Sequence, residues 1–273
     1  MSKPTVGFIG LGSQGGPMAS RIIAAGFPTW LWARRPESLA PYASTTARTA
    51  ATLAELGAAC DHIGICVVDD AGVIATCEAL LPAMRAGSLV VIHSTILPQT
   101  CIDLAARFAA RGISLLDAPV SGGGQSAAEG NLTVMVGGGA AAFAAAKPVL
   151  DSFSALLLHL GPTGAGQNAK LVNNTLMAAN MALADAALAA GADLAIDRAT
   201  LIALIKASSG RSFAFDTRAR LPDAAMFTHG AALLSKDVNL LGTVLGTSPS
   251  FLPLRDAALP FLDRITKPTG SAT

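Results

Sequence analysis

The chain has 273 residues, 52% of them hydrophobic and only 14% charged, and 19 basic against 18 acidic side chains leave a formal net charge of +1. That length holds about two domains, and high apolar content with little charge favours a packed core over disorder. With neither sign forming a block, there is no electrostatic footprint for nucleic acid or an anionic membrane surface. The apolar excess comes from Ala and Gly. The most apolar window, 171–190, carries Asn173, Asn174, Asn180 and Asp185, so no membrane-spanning segment is expected. Cys60, Cys66, Cys77 and Cys101 form neither a CxxC pair nor a zinc spacing and read as packed, reduced thiols. His62, His93, His159 and His229 show no ligand spacing, so no metal site is expected. The start, Met1-Ser2-Lys3-Pro4, has no export signal, and a cytoplasmic enzyme is expected.

Short apolar runs at 5–9, 29–32, 63–68, 89–93, 114–116, 133–136 and 156–160 predict strands. Stretches of helix formers lie between most of them, for example at 17–25, 99–111 and 140–152. Strands alternating with helices imply βαβ units and a largely parallel sheet. The pattern changes at Gly161-Pro162-Thr163-Gly164-Ala165-Gly166, after which no strand is predicted. Residues 167–190 read as one helix ended by Gly191, about 36 Å long at 1.5 Å per residue. Further helices are predicted at 198–207, 230–245 and 254–265. The expected fold is α/β: an N-terminal Rossmann-type doubly wound sheet (1–162), then an all-α domain (163–273) for substrate and oligomerisation, with a long interdomain helix.

The first strand runs into Gly10-Leu11-Gly12-Ser13-Gln14-Gly15, a G-x-G-x-x-G pattern. Gly10 permits the tight turn, Gly12 lets backbone approach a pyrophosphate, and Gly15 lets strand and helix pack closely. The helix that follows turns its N-terminal amides and positive dipole end toward the phosphates. An NAD site expects an acidic residue about 20 positions on, to bond the ribose 2′-hydroxyl. Here the second strand ends in Ala33-Arg34-Arg35-Pro36, and two guanidiniums suit a 2′-phosphate. NADP(H) is therefore preferred, with NAD(H) possible.

Taken together, the motifs resemble the β-hydroxyacid dehydrogenase family over nearly the whole chain. Besides Gly10–Gly15, the resemblance rests on His93-Ser94-Thr95-Ile96-Leu97-Pro98, Asp117-Ala118-Pro119-Val120-Ser121-Gly122-Gly123 and Gly130-Asn131-Leu132-Thr133-Val134-Met135-Val136-Gly137-Gly138. It continues through Gly164-Ala165-Gly166, Lys170-Leu171-Val172-Asn173-Asn174 and Lys236-Asp237. Gln14 and Ala33 stand where methionine and asparagine are frequent in the family, and 208–215 matches only loosely. The resemblance implies that Val67, Val68 and Asp69 border the adenosine side of the cofactor and that Thr95 lies by the nicotinamide. It implies that Ser121, Gly122 and Gly123 hold the substrate carboxylate, that Lys170 is catalytic with Asn174 beside it, and that Lys236 reaches the cofactor. It also implies a homodimer or homotetramer, for which the small residues Ala178, Ala179, Ala182, Ala186 and Ala187 would allow close helix approach.

The chemistry can also be argued from the residues. Lys170 and Asn174 are i and i+4, one turn apart on one helix face. An ammonium there could donate a proton to a carbonyl oxygen as hydride arrives. In reverse a neutral amine would take the hydroxyl proton, if burial or a nearby cation lowered its pKa. A surface lysine and a packing asparagine fit the same spacing, and spacing does not choose between them. Ser121-Gly122-Gly123 offers one hydroxyl and unobstructed amides, a nest for a carboxylate, or a plain glycine-rich loop. Lys236 sits in a mostly apolar helix, where a lysine commonly snorkels. The leading expectation is hydride transfer between NADP(H) and a short β-hydroxy acid or its semialdehyde or keto form. The rivals are an imine reductase on the same scaffold, which Lys170 opposes, and a non-catalytic dinucleotide-binding module.

Overall fold

A computed structural model describes residues 3–267; Met1, Ser2 and the last residues of the expected helical domain lie outside that range. Contacts divide the chain into two compact units, Met1–Lys170 and Leu171–Thr273. The first contains strands β1 (Val6–Ile9), β2 (Thr29–Trp32), β3 (Arg48–Thr49), β4 (His62–Ile65), β5 (Leu89–Ile92), β6 (Ser114–Asp117), β7 (Val120–Ser121), β8 (Leu132–Gly137) and β9 (Ser154–Gly161). Its helices are α1 (Gly15–Ala24), α2 (Leu53–Ala59), α3 (Asp70–Leu80), α4 (Pro98–Ala109), α5 (Gly123–Glu129) and α6 (Ala140–Leu150). The strands form one sheet in the order β3-β2-β1-β4-β5-β6-β8-β7, with β9 also paired to β8. The six strands from β3 to β6 are parallel, which is the dinucleotide-binding order. β8 then runs antiparallel to β6 and β7 and parallel to β9.

β1, β4 and β5 are buried at every position, as parallel strands covered on both faces must be. Their alternation feeds two separate cores. Val6, Phe8, Leu89 and Val91 pack with Met18, Ala19 and Ile22 of α1 and with Val149 and Leu150 of α6. Ile9, Ile63, Ile65, Val90 and Ile92 pack on the opposite face with Leu56, Val73, Cys77, Leu80, Leu104 and Phe108. Each large side chain buried this way contributes roughly 1.5–3 kcal/mol. Cys60, Cys77 and Cys101 belong to this second core as free thiols.

The long helix α7 spans Ala165–Asp193, so its first turns belong to the first unit and the remainder to the second. The second unit adds α8 (Arg198–Ala207), α9 (Phe213–Ala219), α10 (Thr228–Leu245) and α11 (Leu252–Thr266), and no strand among the described residues. Its main core joins Leu171, Ala178, Ala179 and Met181 of α7 to Ala231, Leu234, Val238 and Leu241 of α10 and to Phe261 and Leu262 of α11. By length and a mean hydropathy of 1.3, α7 could cross a membrane. Part of its apolar surface fills this core, while Val172, Leu176 and Leu183 are exposed, and Asp185 accepts a 2.7 Å hydrogen bond from Arg218 Nε and pairs with Arg264.

Gly191 does not end α7. A side chain there would come 2.2 Å from Leu201 Cδ2, so the glycine serves the close approach of α8. The stop lies later, where Ala195 adopts φ +55°. Ile196 N–H donates to Gly191 O and Ala195 N–H to Ala192 O, the paired bonds of a Schellman motif. The two-residue strands β3 and β7 were not expected either, because two residues carry no periodic signal.

Two buried histidines flank the middle of the sheet. Burial pushes His62 down to about 3, helped by the neighbouring His93. It pushes His93 down to about 4, against the hydrogen bond His93 makes with Ala118 O. Because both folded values lie below the unfolded value of about 6.5, the unfolded chain takes up protons first. This contribution to stability is therefore complete above pH 6.5 and is lost as pH falls toward 4. Urea unfolding between pH 7 and 5 should show stability falling by up to about 1.4 kcal/mol per pH unit for each histidine. His93→Gln should make the decline shallower, and an unchanged slope would contradict the assignment.

Candidate active site

The loop after β1 has the geometry its glycines suggest. Gly10 sits at φ +93°, and a Cβ there would lie 2.0 Å from Cys66 O. A Cβ on Gly15 would lie 2.0 Å from Gly10 O, so both positions are closed by backbone. Gly12 differs: a side chain there would meet nothing within 4 Å. No packing demands glycine at that point, and its absence of a side chain leaves the loop bare toward an approaching group. Leu11, Ser13 and Gln14 complete the turn. Gln14 caps α1 without a side-chain hydrogen bond, and the first turn carries no acidic residue. The positive end of α1 is thus left for an external anion. These features fit a dinucleotide pyrophosphate.

β1 lies between β2 and β4, so the crevice opens at the C-terminal ends of these strands. Beyond β2, Ala33 is half-buried, while Arg34 and Arg35 are exposed. Neither arginine side chain makes an ion pair or hydrogen bond among the described residues. Beyond β4, Val68 is 73% exposed, an apolar platform at the crevice. Val67 N–H donates to Ser94 Oγ at 2.8 Å, tying this loop to the one after β5. Asp69 spends its carboxylate locally, accepting from Gly72 N–H at 2.8 Å to cap α3.

Thr95 lies half-buried in the loop between β5 and α4. The peptide groups on either side of it are held by one side chain. Gln167 Nε2 donates to Ser94 O at 2.8 Å, and Gln167 Oε1 accepts from Ile96 N–H at 3.2 Å. Asp70 Oδ1 fixes the end of the same loop through Leu97 N–H and Thr100 Oγ1. Gln167 stands on α7 three residues before Lys170, whose side chain is also buried. The start of α7 is in turn bound by Asp117, at the end of β6. Its Oδ1 accepts from Gly164 N–H at 2.7 Å and its Oδ2 from Gln167 N–H at 2.8 Å. Burial raises the Asp117 pKa against the lowering effect of these amides. A Cβ on Gly166 would come 2.9 Å from the same carboxylate, which accounts for part of the glycine richness of the junction.

Ser121 pairs with Thr133 across β7 and β8, and its hydroxyl has no hydrogen-bond partner among the described residues. Gly122 and Gly123 follow at φ +134° and +76°. A Cβ on Gly124 would fall 2.4 Å from Ser13 O, so this loop runs directly against the loop after β1. The two glycine-rich segments proposed for cofactor and substrate are thus neighbours within the first unit.

In the second unit, Asn174 Nδ2 donates to Asp237 Oδ2 at 2.6 Å, and Asn174 Oδ1 accepts from Asn173 Nδ2 at 3.1 Å. Lys236 Nζ lies 3.1 Å from Asp237 Oδ1. Asp237 is 3% exposed and is the point on which Asn174 and Lys236 converge. No group of three or more His, Cys, Asp or Glu side chains suited to a metal occurs among the described residues. Asp117, Gln167, Gly124 and Asp237 were not singled out from the sequence as site residues. Asp117 and Asp237 stood inside motifs and Gly124 and Gln167 just beyond them, but the role of each depends on a partner distant in the chain.

Residues 5–161 match the NAD binding domain of 6-phosphogluconate dehydrogenase. Residues 164–266 match the NAD-binding domain of NADP-dependent 3-hydroxyisobutyrate dehydrogenase. The chain is 34% identical over 251 residues to the mitochondrial 3-hydroxyisobutyrate dehydrogenase of Rattus norvegicus, covering 88% of this chain and 75% of that one. Among solved structures it resembles Mycobacterium tuberculosis 3-hydroxyisobutyrate dehydrogenase with L-serine, with a TM-score of 0.84 and 27% identity over 97% of this chain and 98% of that one. It also resembles Psf3 in complex with NADP+ and 2-OPP, with a TM-score of 0.83 and 27% identity over 97% of this chain and 95% of that one. With a dinucleotide fingerprint on a Rossmann-type sheet, a helical second unit and both domain models matched in order, this chain belongs to the β-hydroxyacid dehydrogenase family.

Proposed function

We propose that this protein is an NADPH-preferring oxidoreductase that interconverts a short β-hydroxy acid with its semialdehyde or keto form, Lys170 serving as general acid and base. The observation that carries this reading is the buried Lys170, one turn beyond the Gln167 that holds the Thr95 loop. A bound nicotinamide supplies or accepts the hydride. Lys170 as an ammonium donates to the substrate carbonyl oxygen and delivers the proton in reduction; as an amine it takes the hydroxyl proton in oxidation. Asn174 holds the same oxygen or orients the amine. Ser121 with the Gly122 and Gly123 backbone receives the substrate carboxylate, and Thr95 borders the nicotinamide. Gly10 to Gly15 hold the pyrophosphate, Val67 to Asp69 border the adenosine, and Lys236 reaches the cofactor from the second unit. Arg34 and Arg35, exposed and unpaired, grip a 2′-phosphate. Four free cysteines fit a reducing compartment such as the cytoplasm, and the small residues of α7 fit a homodimer or homotetramer.

Turnover should be at least several-fold more efficient with NADPH than with NADH, and replacing both Arg34 and Arg35 by Ala should erase the difference; a native preference for NADH would overturn that reading. Lys170→Ala should lower kcat by roughly 10²–10⁴-fold while leaving NADPH affinity, read by fluorescence titration, nearly unchanged. A spectrophotometric screen of 3-hydroxy acids, β-hydroxy amino acids and cyclic imines should yield hydroxy-acid oxidation, and turnover of imines alone would refute the proposal. Sedimentation at micromolar concentration should give two or four times the chain mass of 27.4 kDa; a monomer would contradict the assembly.

A further inference from the structure

Gln167 makes a contact that neither the fingerprint nor the proposed chemistry accounts for. Its side chain is fully buried and spans Ser94 O and Ile96 N–H, the two peptide groups that flank Thr95. A primary amide has one donor end and one acceptor end, so it can satisfy both with one rigid plane. A hydrocarbon of the same size would leave a buried carbonyl and a buried amide unpaired. The backbone of Gln167 is itself pinned by Asp117 Oδ2, so the bracket cannot slide along β6. Lys170 follows at i+3 on α7, on the same flank of the helix and about 5–6 Å away between Cβ atoms.

We propose that Gln167 is the positioning residue that sets Lys170 against the Thr95 loop, acting through the helix on one side and through the peptide groups around Thr95 on the other. This rests on the reading of Lys170 as acid and base. Proton and hydride must reach neighbouring atoms of one substrate, so the lysine and the nicotinamide-side loop need a fixed separation. A misplacement of about 1 Å costs on the order of 10²-fold in rate. The sheet holds one of these groups and a helix the other. Gln167 is the side chain that bridges them.

The test uses Gln167→Met, which keeps the side-chain length and removes both hydrogen bonds. It also uses Gln167→Asn, which keeps an amide one methylene too short to reach both groups and carries the test if the first variant folds poorly. In the protein without cofactor, hydrogen exchange of the peptide covering Ile96 should accelerate at least about tenfold. Acylation of Lys170 by acetic anhydride, read by peptide mass spectrometry, should become faster, while exchange in residues 15–24 of α1 stays unchanged. With NADP+ and 3-hydroxyisobutyrate as probes, kcat should fall at least about tenfold and KM for NADP+ should stay within about threefold. Unaltered Ile96 exchange, or equal losses in kcat and NADP+ affinity, would overturn the proposal. Lys170→Met separates the two readings. If it retains full kcat, the lysine reading fails and takes the coupling with it; if it is inactive while Gln167→Met is fully active, the bracket alone fails.

Discussion

The carboxylate of Asp117 is the contact on which the arrangement of the first unit's functional groups depends. It is fully buried at the end of β6, and an uncompensated charge in that place would cost several kcal/mol. The amides of Gly164 and Gln167 offset the cost, each a charge-assisted bond worth about 1.5–3 kcal/mol. The donors come from the turn that opens α7, so solvating this one carboxylate also fixes where the helix begins. Its first turn therefore belongs to the sheet-bearing unit, and the division of the chain falls inside the helix. Glycine at 166 follows from the same close approach, since a side chain there would meet Met135 O at 2.3 Å and the Asp117 carboxylate at 2.9 Å.

Around that anchor, the crossing order of the strands does the rest. Placing β1 between β2 and β4 opens the crevice where the chain turns in opposite directions on either side. The loops after β1, β2, β4 and β5 all leave from that end. The backward turn of β7 and β8 brings a fifth loop to it, and Gly124 lets that loop lie on Ser13. Two glycine-rich segments separated by more than a hundred residues thus lie backbone against backbone. Asp69 and Asp117 divide the capping work: one opens α3 and the other opens α7.

Much of this was legible in the residues. β2 and α8 were read at their observed limits, β2 because Thr-Trp-Leu-Trp is a short β-prone run and α8 because its helical pattern is local. The tight turn at Gly10 and the close packing at Gly15 followed from the spacing. Gly191 was misread because a glycine near a helix end is ordinarily a stop signal, whereas here it accommodates Leu201 and the left-handed position falls to Ala195. The strands β3 and β7 were missed because pairing, not local pattern, makes them strands. Gln167 went unnoticed because a glutamine inside a helical pattern carries no local signal of burial.

The sequence by itself determined what is local: a period of two or of 3.6, glycines where backbone approaches backbone, and the order in which strands give way to helices. Those features depend on neighbours a few residues apart, and the chemistry of each residue type suffices to read them. The tertiary structure decided which side chain each polar group meets. Asp117 finds its donors 47 and 50 residues away, and Gln167 finds Ser94 across 73. Partners at such separations are chosen by the fold, because only the packed sheet and helix remove water and leave a buried amide or carboxylate one acceptable place to point.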